Sequence, residues 1–177
     1  MIELRPYSDL DAWSVFRFLD GNDFAEAEAV RGSAASNIGL FADWRQVEGA
    51  RLTSSVVAGK RPSGYEPFAV VAMCHSGQAG VAQAAMLAKD HRKWRRELVE
   101  LGSLMRRRLV PICEEFGVHR IEARCWNRHP TASRFLEFIG FQFETDMPGF
   151  GGSGQVVFQQ YAFLPTKIKE VQTNVFN

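Results

Sequence analysis

The chain has 177 residues, 46% of them apolar, with Phe 14 and Trp 4, which suits one domain, or one domain with short extensions, built on a sizeable core. A formal net charge of +1 gives no global case for nucleic-acid or membrane binding, so any such case rests on local clusters. The opening residues lack the basic, apolar, small-residue plan of a leader, and no apolar run approaches the ~20 residues of a membrane span; Cys74, Cys113 and Cys125 are an odd set in apolar or periodic segments, so buried reduced thiols in a cytosolic protein are expected.

Met1–Arg5 alternates as a short strand does, with Ile2 and Leu4 on one face. Pro6 and Ser8-Asp9 mark a turn and a helix start. Leu10, Trp13, Phe16, Phe18 and Leu19 supply that helix with an apolar stripe, and Gly21-Asn22 stops it. Asp23–Val30, rich in Ala and Glu, reads as a second short helix, and Ile38, Leu40, Phe41 and Trp44 suggest a third. Leu52–Ala58, Phe68–Cys74 and Val81–Ala88 are strands separated by turn signals at 60–64 and 77–80; the unbroken apolar run of the second marks a strand covered on both faces. Residues 91–116 carry the strongest helix signal, with Trp94, Leu98, Leu101, Met105, Leu109, Ile112 and Phe116 spaced by 4, 3, 4, 4, 3 and 4. Gly117 is its natural stop, and Pro111 inside it should kink it or end it early. Val118–Trp126 is a strand, Pro130–Ile139 a helix with proline in its first turn, and Phe141–Glu144 and Gln155–Leu164 are strands joined by a glycine-rich loop at 148–154. A helix joining the strands at 81–88 and 118–126 implies a right-handed parallel crossover, hence a mixed α/β sheet with helices on both faces. Residues 165–177 form a polar extension with little to bury, leaving 1–164 as the domain; such a tail, if held in place, would speak for packing in an assembly.

Asn127, Ala132, Phe135, Ile139, Gly140 and Phe141, spaced as in NRHPTASRFLEFIGF, and the opening IELRPYSDLDAW give this order a resemblance to the GNAT superfamily of N-acetyltransferases over residues 1–164. Segment 81–141 looks like its acyl-CoA-binding half. A narrower resemblance is to GNAT-like proteins of phages and prophages, including the internal virion protein A family of short-tailed phages. Asp23-Phe24-Ala25-Glu26, a basic loop without glycine before the long helix, HPTASRFLEFIGF and a late MPGFGGSG hairpin carry it.

The superfamily resemblance implies acetyl-CoA, whose pyrophosphate such enzymes hold on the bare N–H groups of a glycine-containing loop at a helix N-terminus. The corresponding stretch here, Asp90-His91-Arg92-Lys93-Trp94-Arg95-Arg96, has no glycine but four cations. Arg92, Lys93, Arg95 and Arg96 either hold phosphate through charge-assisted bonds or form a solvated basic face. Leu87 near the end of the preceding strand and Asn127, placed by the superfamily pattern against the pantetheine arm, complete the implied cofactor set. Acyl transfer also needs a base for the amine and an acid for the leaving thiolate. Leu136 stands where many relatives carry the tyrosine acid; Tyr161 is the substitute, or else a packing residue of the last strand. Glu26 and Asp23, three apart on one helix face, are the candidate bases, with helix polarity and an N-cap as their structural alternative. The four histidines show no metal-ligand spacing and there is no Cys-x-x-Cys, so no metal is expected.

Two functions follow. One is an N-acyltransferase taking acetyl-CoA and a small amine, a protein N-terminus or a lysine. The other is a non-catalytic, virion-associated structural or interaction protein with a degenerate GNAT fold, touching phage virion proteins or its own copies. Either places the chain in the cytoplasm of an infected host or in the virion. Arg106-Arg107-Arg108 adds a second basic cluster that a nucleic-acid backbone would also fit.

Overall fold

A computed structural model of the chain describes residues 1–165; the expected extension, beyond Pro165, lies outside the described residues. The elements are β1 (Ile2–Pro6), α1 (Asp9–Phe16), α2 (Gly21–Arg31), α3 (Asn37–Gln46), a single 3-10 turn (Glu48–Ala50), β2 (Arg51–Arg61), β3 (Gly64–His75), β4 (Val81–Ala88), α4 (Arg95–Phe116), β5 (Arg120–Trp126), α5 (Ala132–Ile139), β6 (Gln142–Phe150) and β7 (Val156–Phe163). The seven strands make one sheet in the order β1-β2-β3-β4-β5-β7-β6. Only the β4–β5 pairing is parallel, and α4 is its crossover.

Short polar side chains start the first three helices. Ser8 accepts from the Asp11 N–H, Asp20 from Asn22, and Ser36 from Gly39. Gly21-Asn22, expected to stop α1, instead opens α2, because the Asp20 side chain caps it there. α1 ends earlier, at Phe16, and Leu10 and Phe18 of the expected stripe are exposed. α4 begins four residues later than its periodicity implies. Asp90 holds 91–94 in a turn by accepting from the Arg92 and Lys93 N–H groups and Trp94 precedes the helix, buried and stacked on Phe68 at 4.7 Å. Pro111 does not end α4: it is exposed, on the outer face where the carbonyl it leaves unbonded can take water. α5 begins at Ala132 rather than Pro130, since His129 Nδ1 accepts from the Thr131 and Ala132 N–H groups. β6 runs to Phe150 and absorbs the start of the expected glycine loop.

The strand alternation sorts the core onto two faces. Val56, Val70 and Ala72 pack with Ala12, Val15, Phe16, Leu40 and Trp44 under α1 and α3. Val57, Phe68 and Ala88 pack with Trp94 and Leu101 of the α4 side. Leu109, Cys113, Ile121, Cys125, Ile139 and Tyr161 continue that face beneath α5. No helix among the described residues is long and apolar enough to cross a membrane.

Candidate functional site

The parallel strands β4 and β5 pair only from Val81–Gln83 to Arg120–Glu122. Beyond that they diverge, so the last amides of both strands lose a ladder partner on the facing side. A cavity of about 1320 Å³ passes through this opening, lined on one side by Asp23 and Glu26 of α2 and on the other by Leu98 and Met105 of α4 and Phe135 of α5.

Two carboxylates from α2 supply what the missing ladder would have. Asp23 Oδ2 accepts from the Ala88 N–H at 2.7 Å, at the end of β4. One helical turn on, Glu26 Oε2 accepts from the Trp126 N–H at 2.9 Å, at the end of β5. Three-residue spacing puts both on one helix face, so α2 grips the two diverging strands at their tips.

Asp23 is also the centre of a buried cluster. Its Oδ1 lies 3.1 Å from His129 Nε2 and 3.1 Å from His91 Nε2. Because His129 Nδ1 accepts from Ala132, its proton sits on Nε2 and is donated to Asp23. The His91 contact has ion-pair distance without hydrogen-bond alignment. Burial pushes the Asp23 carboxyl pKa up, but the bond from His129, the close contact and charge of His91 and the Ala88 N–H outweigh it and hold the pKa below its ordinary value. Burial likewise disfavours charged His91, yet Asp23, Asp20 and Asp90 raise its pKa. Glu26 goes the other way: burial, aided by the Asp23 charge, raises its pKa against the Trp126 bond.

Asp23, His91 and His129 offer three ligand atoms within 4.8 Å of one another, a grouping that sequence spacing conceals. A metal held by all three would need the Nε2 lone pair of His129, the nitrogen that carries the proton while Nδ1 caps α5. The donor set therefore fits a hydrogen-bonded cluster better than a cation site.

The loop after β4 is closed to backbone contacts with a ligand at three positions. Asp20 Oδ2 accepts from the His91 N–H at 3.0 Å, and Asp90 Oδ1 from Arg92 and Lys93 at 2.9 and 3.1 Å. The side chains point to the opposite chemistry. Arg92, Arg95 and Arg96 are exposed, and no ion pair is formed by any of them among the described residues. With Lys93 and Arg61 they line a recess of about 370 Å³. Arg61 lies 3.7 Å over the Trp94 ring and pairs with Glu97 at 2.7 Å.

The remaining expected residues are dispersed. Leu87 pairs with Val70 in the sheet and packs under α1. Asn127 is exposed just past β5, its N–H given to Val157. Tyr161 is 2% exposed, opposite Ala123 and edge-on to Phe143 at 5.6 Å, with its phenol pKa raised by burial. It belongs to the core beneath α5 rather than to the cavity lining. Leu136 packs against the same core. Asp20, His91 and His129 are the site residues that sequence spacing missed.

No family model matches the chain, and no curated protein sequence matches it. Solved structures do. A GNAT-family acetyltransferase from Bacillus anthracis superposes with a TM-score of 0.69 at 13% identity, covering 93% of this chain and 95% of that one. An acetyltransferase from Salmonella typhimurium, solved with its cofactor acetyl-CoA, gives 0.58 at 13% identity over 98% and 99%. Spermidine N-acetyltransferase from Vibrio cholerae, in complex with CoA and spermine, gives 0.65 at 15% identity over 94% and 96%. The fold is that of GNAT acetyltransferases.

Proposed function

We propose that the chain is an acyl-CoA-dependent N-acyltransferase that holds the acyl-CoA phosphates with arginine side chains rather than loop amides. One observation carries this reading: the cavity through the β4–β5 opening has a half-buried carboxylate, Glu26, on the α2 side, and on the α4 side it shares Arg95 with a separate basic recess in which Arg92, Arg95 and Arg96 have no ion-pair partner among the described residues. Acyl-CoA enters from the α4 side, its phosphates against Arg92, Lys93, Arg95 and Arg96, with Leu87 and Asn127 flanking the pantetheine arm. The acceptor amine enters from the α2 side. Its nitrogen must be unprotonated to attack the thioester carbonyl, and Glu26, with a pKa raised by burial, is the base that takes the proton. The new C–N bond forms as the C–S bond breaks. Leu136 cannot donate to the thiolate and Tyr161 is enclosed in the core, so the thiolate takes its proton from water, which a thiol pKa of about 8.5 makes tolerable. The acceptor is an amine, a class supported by the structural neighbour that is a spermidine N-acetyltransferase in complex with CoA and spermine.

Calorimetric titration with acetyl-CoA tests this reading. Saturable binding is expected, weakened about tenfold or more in an Arg92→Ala/Arg96→Ala variant; absence of heat at millimolar ligand overturns it. A second reading, a virion-associated phage protein with a non-catalytic GNAT fold, draws on the capped amides. Asp20, Asp90, Asp23 and Glu26 occupy backbone donors that an acyl-CoA would otherwise use. It predicts no thiol release with any amine and recovery of the protein from purified particles by mass spectrometry.

A further inference from the structure

The basic recess continues onto the outer face of α4, where Arg106 and Arg107 add two cations that the proposed reaction does not use. Arg92, Arg95, Arg96, Arg106 and Arg107 are all exposed, and no ion pair joins any of them to an acid among the described residues. At 100° per residue Arg95, Arg96, Arg106 and Arg107 fall on one side of the helix, with Val99 and Ser103 between the two groups and Arg92 in the turn just before it. The acids of the same stretch are already engaged, Glu97 by Arg61 and Glu100 by the N-terminus. On a chain whose net charge is +1, such a stripe is a strong local departure.

The geometry points to a docking face for double-stranded DNA of B form, which we propose as a second binding function of this chain. Arg95 and Arg106 are eleven residues apart, about 16 Å along the helix axis. That separation lets two arginine groups meet the phosphate rows on either side of a major groove about 12 Å wide. The A-form groove of an RNA duplex is too narrow for the same straddling. No aromatic side chain stands in the stripe, so it offers no stacking platform for single-stranded bases. Guanidinium forks suit phosphate oxygens in pairs.

The test is fluorescence anisotropy with a labelled DNA duplex of about 20 base pairs, between about 50 and 200 mM salt. Five phosphate contacts predict a log–log salt slope of about −4 to −5. Arg106→Glu/Arg107→Glu lies outside the acyl-CoA recess. It should weaken duplex binding about tenfold or more, lower the slope magnitude by about 2, and leave acetyl-CoA binding and the circular dichroism spectrum unchanged. The milder Arg106→Gln/Arg107→Gln pair should act in the same direction. Equal or tighter binding to an RNA duplex, single-stranded DNA or polyglutamate overturns the assignment, as does a flat salt dependence or a charge-reversed variant that binds like the parent.

Discussion

On the α2 side of the β4–β5 opening, Asp20, Asp23 and Glu26 are each bonded to a backbone N–H. On the α4 side, Arg92, Arg95 and Arg96 stand in solvent without an ion-pair partner among the described residues. The difference follows from desolvation. A charge inside the fold is stable only if donors or counter-charges replace its water, and the divergence of two strands leaves donors available there. A charge in solvent needs no such partner and costs little to leave unpaired. The α2 charges are therefore bound up with folding, whereas the α4 charges are free to serve ligands.

Substitution can break that contrast. Asp23→Ala strips the acceptor from the Ala88 N–H and His129 and the counter-charge from His91 at once and should lower unfolding free energy by about 3–5 kcal/mol, read by urea denaturation. Glu26→Gln separates the two roles of the α2 carboxylates. The amide oxygen can still accept from Trp126, so stability should stay within about 1 kcal/mol, while turnover with an amine acceptor falls about 100-fold or more through loss of the base. Arg92→Ala/Arg96→Ala should show the reverse of Asp23→Ala: a weakened acetyl-CoA titration with unfolding free energy unchanged to about 0.5 kcal/mol. The smallest effect is in pH dependence. His91 has a raised pKa in the fold, so its stabilisation is full below the ordinary imidazole value of about 6.5 and disappears as pH rises through the raised one. Thermal melts of the parent should decline over that window, and His91→Gln should flatten the decline. Asp23 has a lowered pKa, so its contribution is present above the ordinary carboxyl value and is lost only as pH falls through the folded one.

Much of this architecture was legible in the residues. The 3- and 4-residue spacing from Leu98 to Phe116 gave α4, alternation gave the strands, and Asp23 with Glu26 were identifiable because they share one short helix. The errors fall where a side chain outside the pattern decides. Asp20 turned Gly21 from a stop into a start, Asp90 delayed α4, and His129 moved the start of α5. The histidine cluster was not legible, because His91 and His129 meet only through the parallel crossover that brings the ends of β4 and β5 beneath α2.

The grip of α2 on the strand tips also has a signature in exchange with deuterated solvent. The amides of Ala88 and Trp126 lie beyond the point where β4 and β5 pair, so an unpaired strand end there would exchange quickly. Each instead donates to a carboxylate rooted in a neighbouring helix. Their release requires α2 to lift away, so both amides should exchange together and as slowly as the opening of that helix from the sheet allows.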